Sequence, residues 1–212
     1  MSLTQSQFRI LIVIFGGAAI ISDFFDAFTF FVFKPLCTIS ILAFAVSYRN
    51  KALNAYSIQI SAGLLFCLIG DCFLLFESYF IGGLAAFLIA HVVFLFAFIK
   101  RQGWKWRPEI ALILLVVAGG VFALISKNLG SLFYPVLAYL IIILLMSWQG
   151  WAMSMNPKME QSRTLGLATS LFLFSDAIIA INKFSYPFSL AGILVLTTYW
   201  CAIYLIARSA TL

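Results

Sequence analysis

Apolar runs long enough to cross a membrane alternate with short polar connectors along the whole chain. About 30 Å of hydrocarbon needs roughly 17 to 25 helical residues, and eight runs qualify. They are Phe8 to Ser22, Phe28 to Tyr48, Tyr56 to Phe76, Tyr79 to Ile99, Pro108 to Ser126, Leu132 to Met153, Leu165 to Ile181 and Tyr186 to Ala207. The first is the shortest. Short connectors predict antiparallel packing of neighbouring helices. They leave no linker at which to divide the chain, so the expectation is an all-α, polytopic membrane protein with residues 1–212 in one transmembrane domain.

The connectors also predict orientation. Arg9, Arg49, Lys51, Lys100, Arg101, Lys105, Arg107, Lys158, Arg163 and Arg208 fall on one side, and only Lys127 and Lys183 on the other, beside Asp23, Asp26 and Glu77. By the positive-inside rule both termini are expected in the cytoplasm. Composition agrees: 64% of residues are hydrophobic and 9% charged, against about 45–50% and 25% in soluble domains. The net charge of +6 reads as membrane orientation and excludes a nucleic-acid surface, because the cations form no continuous patch. Small residues from Gly16 to Ala19 resemble a cleavage region, but Arg9 is the lone cation before them, so an uncleaved first span is expected.

Three charges interrupt the apolar runs. An ionised side chain at the centre of a span costs roughly 2.5 to 3.5 kcal/mol, so each needs a partner and a reason. Asp71 lies five residues before Phe76 and Asp176 five before Ile181, each about 8 Å below the outer boundary at 1.5 Å per residue. Lys34, six residues after Phe28, lies about 9 Å deep by the same measure. The three are expected to meet in one polar pocket. Tyr139 enters that layer, while His91 and Tyr199 lie nearer the midplane. A four-plus-four repeat is also suggested: spans three and seven carry Leu-Phe ahead of Gly70-Asp71 and Ser175-Asp176, and spans two and six carry Lys34-Pro35 and Tyr134-Pro135. Polytopic proteins with such repeats often hold their site at the repeat interface.

The donor set limits the chemistry. Cys37, Cys67, Cys72 and Cys201 all fall inside apolar runs without metal-ligand spacing, and His91 is the lone histidine, so no metal or other cofactor is expected. Two carboxyls and a lysine in one low-dielectric layer are expected to resolve into one carboxylate paired with Lys34 and one neutral acid. Such a pair can protonate one end of a C–O system and stabilise the cation at the other, as in glycoside hydrolysis. Hydrolysis of an acid-labile lipid ether is the reaction these residues suit best. Asp–Lys pairs also serve as interhelical locks, His91 can equally be a core histidine, and Gly82-Gly83 reads as a close-packing site.

Several of these stretches together resemble the YhhN-like membrane proteins, which include the lysoplasmalogenases. They are Lys34-Pro35-Leu36, Gly70-Asp71 followed by Gly82, Phe87 and His91, Phe174-Ser175-Asp176 leading to Asn182-Lys183-Phe184, and Thr198-Tyr199. The resemblance spans runs two to eight. It implies eight helices and hydrolysis of the vinyl ether of a lysoplasmalogen to a fatty aldehyde and a glycerophospho-alcohol, with catalytic weight on Asp71 and Asp176. The chain departs from the family pattern at Ala168, where a glycine is expected, and at Ile203, where a glutamine is expected.

The functional expectation is therefore a cofactor-independent ether hydrolase, in a bacterial inner membrane, drawing a single-chain lysophospholipid sideways from the bilayer and using water. Lys34 would keep one carboxylate ionised. His91, Tyr139 and Tyr199 would orient water or a glycerol hydroxyl, and Asn182 and Lys183 would meet the phosphate at the rim. The alternatives are a small transporter or proton-coupled carrier using the same charges as an ion path, and a non-catalytic lipid-binding or assembly protein. One expected outcome concerns metals: turnover of a vinyl-ether lysolipid should survive excess EDTA. Loss of activity, restored by a divalent ion, would make Asp71 and Asp176 metal ligands instead.

Overall fold

The computed structural model describes residues 3–211. Eight helices form the bundle: α1 (Gln5–Phe25), α2 (Ala27–Ser47), α3 (Asn54–Phe73), α4 (Phe80–Gln102), α5 (Pro108–Ile125), α6 (Phe133–Ser154), α7 (Leu165–Phe184) and α8 (Ala191–Arg208). All eight lie in segments long and apolar enough to cross a membrane, and the chain is an integral membrane protein. The eight expected spans are all present, and the uncertain first run is a full helix of 21 residues.

Local signals set the ends. Thr4 and Gln7 make a reciprocal capping box at the start of α1, satisfying donors that the first helical turn leaves free. Asp26 then separates α1 from α2, its carboxylate accepting from the backbone of Phe28 and Thr29 and from the Thr29 hydroxyl. The Thr29 hydrogen bonds hold its carboxyl below the usual value. Pro108 begins α5, where its missing N–H costs nothing.

Several boundaries depart from the sequence reading: α4 runs on to Gln102 and α7 to Phe184, each three residues beyond the expected end. α3 stops at Phe73, three residues early, because the chain turns where Leu74 leans on Gly83 of α4. α8 starts at Ala191 and not at Tyr186, because Pro187 holds the preceding residue out of helical geometry. In its place the Asn182 side chain accepts from Phe188 N at 2.9 Å and ties down the connector. Asp71 thus sits two residues from the end of its helix and Asp176 eight from the end of its own, so the carboxylates are not equidistant from their helix ends.

The suggested repeat has a counterpart in the packing. α2 lies on α3 and α3 on α4; α6 lies on α7 and α7 on α8; the halves join through α4 against α6 and α2 against α8. Exchanging helices one to four with five to eight maps each of these contacts onto another. The symmetry fails at the outer helices. α1 packs closely along α2, whereas α5 touches α6 and α7 only lightly. The basic end is closed differently: the Gln149 side chain clasps the backbone N–H and C=O of Lys105, and Trp148 Nε1 donates to Arg107 O, pinning the start of α5.

Small residues set the approach of α3 to α4. A Cβ at Gly70 would come within 2.6 Å of the Phe87 ring, and one at Gly63 would overlap the ring of Phe94. Gly63→Leu should therefore overpack the core and destabilise the bundle by about 1–3 kcal/mol. Gly17→Leu, whose Cβ would meet nothing within 4 Å, should leave the unfolding temperature in detergent near that of the unaltered protein. Equal stability of both variants would show that the Gly63 contact sets nothing.

Candidate active site

The two intramembrane aspartates are built into equivalent positions of the two halves. Asp71 on α3 is 2% exposed. Its Oδ2 accepts from Thr38 of α2 at 2.6 Å and from Tyr199 of α8 at 2.8 Å. Trp200 Nε1 donates to the Thr38 hydroxyl at 3.1 Å, fixing the rotor so that its proton points at the carboxylate. Asp176 on α7 receives Tyr139 of α6 at 2.6 Å, and His91 Nε2 of α4 lies 3.9 Å from the same carboxylate oxygen. Each aspartate thus takes a hydroxyl from the preceding helix and faces one side chain from the last helix of a half.

The correspondence reaches the sequence numbers. Asp71 and Asp176 are separated by 105 positions, and so are Lys34 and Tyr139. In the first half the helix-two position carries a cation and the bond comes from Thr38, one turn further on; in the second half a phenol occupies it and makes the bond itself.

Lys34 and the aspartates do not converge as the depth argument expects. Lys34 is buried on α2, its Nζ 5.6 Å from the centroid of the Phe30 ring. It feels the charge of Asp71 and of Asp23, yet among the described residues it makes no ion pair within 4.0 Å. Asp176 belongs to another interface. Between the two centres stand Phe172 and Phe87: Phe172 is edge-on to Tyr199 at 5.5 Å and to His91 at 4.6 Å, and Phe87 is edge-on to Tyr199 at 5.7 Å. Depth along a helix fixes one coordinate only, and the azimuth of each side chain assigns it to a different interface.

The centres also differ in access. Asp176, with 15% of its side chain exposed, and Tyr139 border a groove of about 830 Å³ between α5, α6 and α7, and a smaller cleft of about 60 Å³ running toward Phe80 and Phe184. Neither has Asp71 or Lys34 in its wall. His91 is fully buried, with both ring nitrogens unbonded to any protein group. A buried polar group left so costs about 1–3 kcal/mol, and the ring is packed edge-on against Tyr139 and Phe172. Among the described residues no three His, Cys, Asp or Glu side chains gather in a way that could hold a metal ion.

The remaining expected site residues lie at the end opposite the basic connectors. The Asn182 carbonyl oxygen is committed to Phe188, so its rim role is structural first. Lys183 is exposed, its Nζ 4.4 Å above the Phe80 ring at the mouth of the small cleft. Thr38 and Trp200 are the residues that sequence reasoning did not assign to the site. Thr38 carried a signal, a hydroxyl one helical turn after Lys34 on an otherwise apolar helix.

The chain is similar to proteins named lysoplasmalogenase. It is 32% identical over 155 residues to lysoplasmalogenase TMEM86B of Homo sapiens, covering 72% of this chain and 63% of that protein. It is 33% identical over 158 residues to lysoplasmalogenase TMEM86A of Bos taurus, covering 72% and 65%. A lysoplasmalogenase homolog of Dictyostelium discoideum is 36% identical over 74 residues, 35% of this chain and 24% of that protein. The matches thus span less than two thirds of these relatives' lengths. No solved structure matches. The profile of the YhhN family matches residues 29–210, taking in both aspartate centres, and the chain belongs to the YhhN family.

Proposed function

We propose that this protein is an ether hydrolase that cleaves the vinyl ether bond of a lysoplasmalogen, releasing a fatty aldehyde and a glycerophospho-alcohol. The observation that carries the reading is the carboxyl of Asp176, held by Tyr139 on the wall of a long apolar groove, beside a histidine whose ring nitrogens have no hydrogen-bond partner in the protein. The relatives named lysoplasmalogenase support the same reading.

Asp176 begins the cycle as the neutral acid, in a centre where Tyr139 donates to one oxygen and leaves the other free for the proton. That proton passes to the vinyl carbon farther from the ether oxygen. The π electrons form the new C–H bond, and the positive charge is shared by the other vinyl carbon and the oxygen. Water held at a ring nitrogen of His91 attacks that carbon and gives a proton to the Asp176 carboxylate, restoring the acid. The hemiacetal then transfers its hydroxyl proton to the glycerol oxygen, the C–O bond breaks, and aldehyde and alcohol leave.

Asp71 is the second carboxylate of this reading. In this reading it acts in its ionised form, held at Oδ2 by two hydroxyls with Lys34 as an electrostatic neighbour, and its charge acts across Phe172 and Phe87 to favour the cation at the vinyl ether. A preorganised charge in a low-dielectric site stabilises developing charge without reorganising. The protein would work in a bacterial inner membrane on lipid drawn from the bilayer, with water as co-substrate and no cofactor.

One observation favours a second reading. A carboxylate in each half of a pseudo-symmetric bundle is an arrangement found in carriers, so a proton-coupled carrier is the alternative. The experiment that separates them follows aldehyde release by purified protein. Asp176→Asn and Asp71→Asn should each lower turnover by about 10² or more, the contribution of a general acid, with much smaller changes in binding. The saturated alkyl-ether analogue, which has no double bond to protonate, should bind and inhibit without being cleaved. Absence of aldehyde, together with Asp71-dependent movement of protons or lipid across liposomes, would replace the hydrolase with the carrier.

A further inference from the structure

The groove beside Asp176 exists because the internal repeat is broken. In the first half α1 lies along α2 and seals the Asp71 side; in the second half α5 stands away from α6 and α7. The space has a volume of about 830 Å³, inside the range of about 300–1,000 Å³ typical of ligand sites. Its wall is hydrocarbon apart from a few polar groups, and most of these are already engaged. The Ser170 hydroxyl accepts from Trp151 Nε1 at 2.9 Å, and Glu109 at the basic end lies 3.8 Å from Arg107. Asp176 and Tyr139 form the polar station with a free oxygen.

From that station the groove continues in one direction much farther than in the other. Tyr139 and Met155, both in its wall, are sixteen residues apart on α6 and its C-cap, about 24 Å at 1.5 Å per residue. This is enough for a long hydrocarbon chain laid toward the basic end. In the opposite direction Asp176 borders only the cleft of about 60 Å³, which holds a few waters or a glycerol unit but no second chain. The cleft ends where Phe80 and Phe184 meet at 6.0 Å, with the Lys183 ammonium over Phe80.

We infer that the α5–α6–α7 groove is a slot for one hydrocarbon chain, with the chain end at Trp151 and Met155, the glycerol in the small cleft and the phosphate at Lys183. The inference rests on the proposed lysolipid reading and deepens it. The slot admits a single-chain lipid because the cleft beyond Asp176 has no room for a second acyl chain, and it measures chain length by the distance from Asp176 to Met155. Ile113 and Val117, on the exposed lip of α5, are the specificity-determining residues along its length.

The test uses an uncleavable 1-alkyl lysophospholipid with a diazirine at the chain end, photolysed on the full protein in nanodiscs and mapped by mass spectrometry. Adducts are expected at Ile110, Leu114, Trp151 and Met155, and should be suppressed by unlabelled long-chain lysolipid. A diacyl phospholipid with the same label should not react there. Val117→Trp should lower the ratio of kcat/KM for long over short alkenyl chains by at least about tenfold, since a missing few methylenes in an apolar pocket are worth that much. Ile113→Trp, nearer the chain end, should lower it less, and Leu115→Trp, exposed on the same helix but outside the groove, should not alter it. Adducts scattered over lipid-facing surfaces, or equal labelling by the diacyl probe, would overturn the slot. Labelling as expected by a protein that releases no aldehyde would keep the slot and sink the hydrolase, so the two failures are distinct.

Discussion

A carboxyl group inside a membrane has no water to hydrogen-bond it, and the bundle is arranged around meeting that requirement twice. Each aspartate is met by hydroxyls from other helices: Thr38 and Tyr199 bring α2 and α8 to Asp71 on α3, and Tyr139 brings α6 to Asp176 on α7. Such bonds are worth only about 1–2 kcal/mol in membranes, but leaving the group unmet costs more. The register of five helices is therefore coupled to two side chains. In a core otherwise made of interchangeable apolar contacts, these bonds specify which helix faces which.

The two centres then took different courses. The first half carries the fuller set of partners, with Trp200 steering Thr38 and Lys34 near by, and it is sealed by the close packing of α1 on α2. The second half has fewer hydrogen bonds and more space: among the described residues Tyr139 alone donates to Asp176, the His91 nitrogens make no hydrogen bond, and α5 stands off. Both hydroxyls at Asp71 converge on one oxygen, Oδ2, in a centre that neither groove borders; Asp176 takes one hydroxyl and lies beside an open groove, where a ligand can meet it. Phe172 stands between the two, edge-on to Tyr199 on one side and to His91 on the other.

The position of α5 follows from how it is attached. Its start is fixed by Gln149, buried on α6 and bonded to both polar atoms of the Lys105 backbone, and its far end by Ile125 and Leu129 packing with Val136. Between these anchors it presents exposed Ile113, Val117 and Leu115 to the bilayer. A helix apolar on every side can be covered by lipid wherever protein leaves it, so the membrane tolerates a gap that water would close.

The sequence by itself determined the class, the number of helices, the packing of chain neighbours other than α4 and α5, and the identity of the charged residues within the spans. Each of these follows from one-dimensional properties: the length of an apolar run, the cost of a charge within it, the brevity of a connector. It also suggested the repeat, in the Leu-Phe stretches ahead of Asp71 and Asp176 and in Pro35 and Pro135. Only the tertiary structure decided which polar groups meet. Lys34, Asp71 and Asp176 were placed at one depth, and depth says nothing of the direction a side chain takes around its helix axis; that direction put His91 and Tyr139 with Asp176, and Thr38 and Tyr199 with Asp71. The groove was likewise illegible, because α1 and α5 are both continuous apolar helices and the difference between them is the packing of one against its neighbours and the parting of the other.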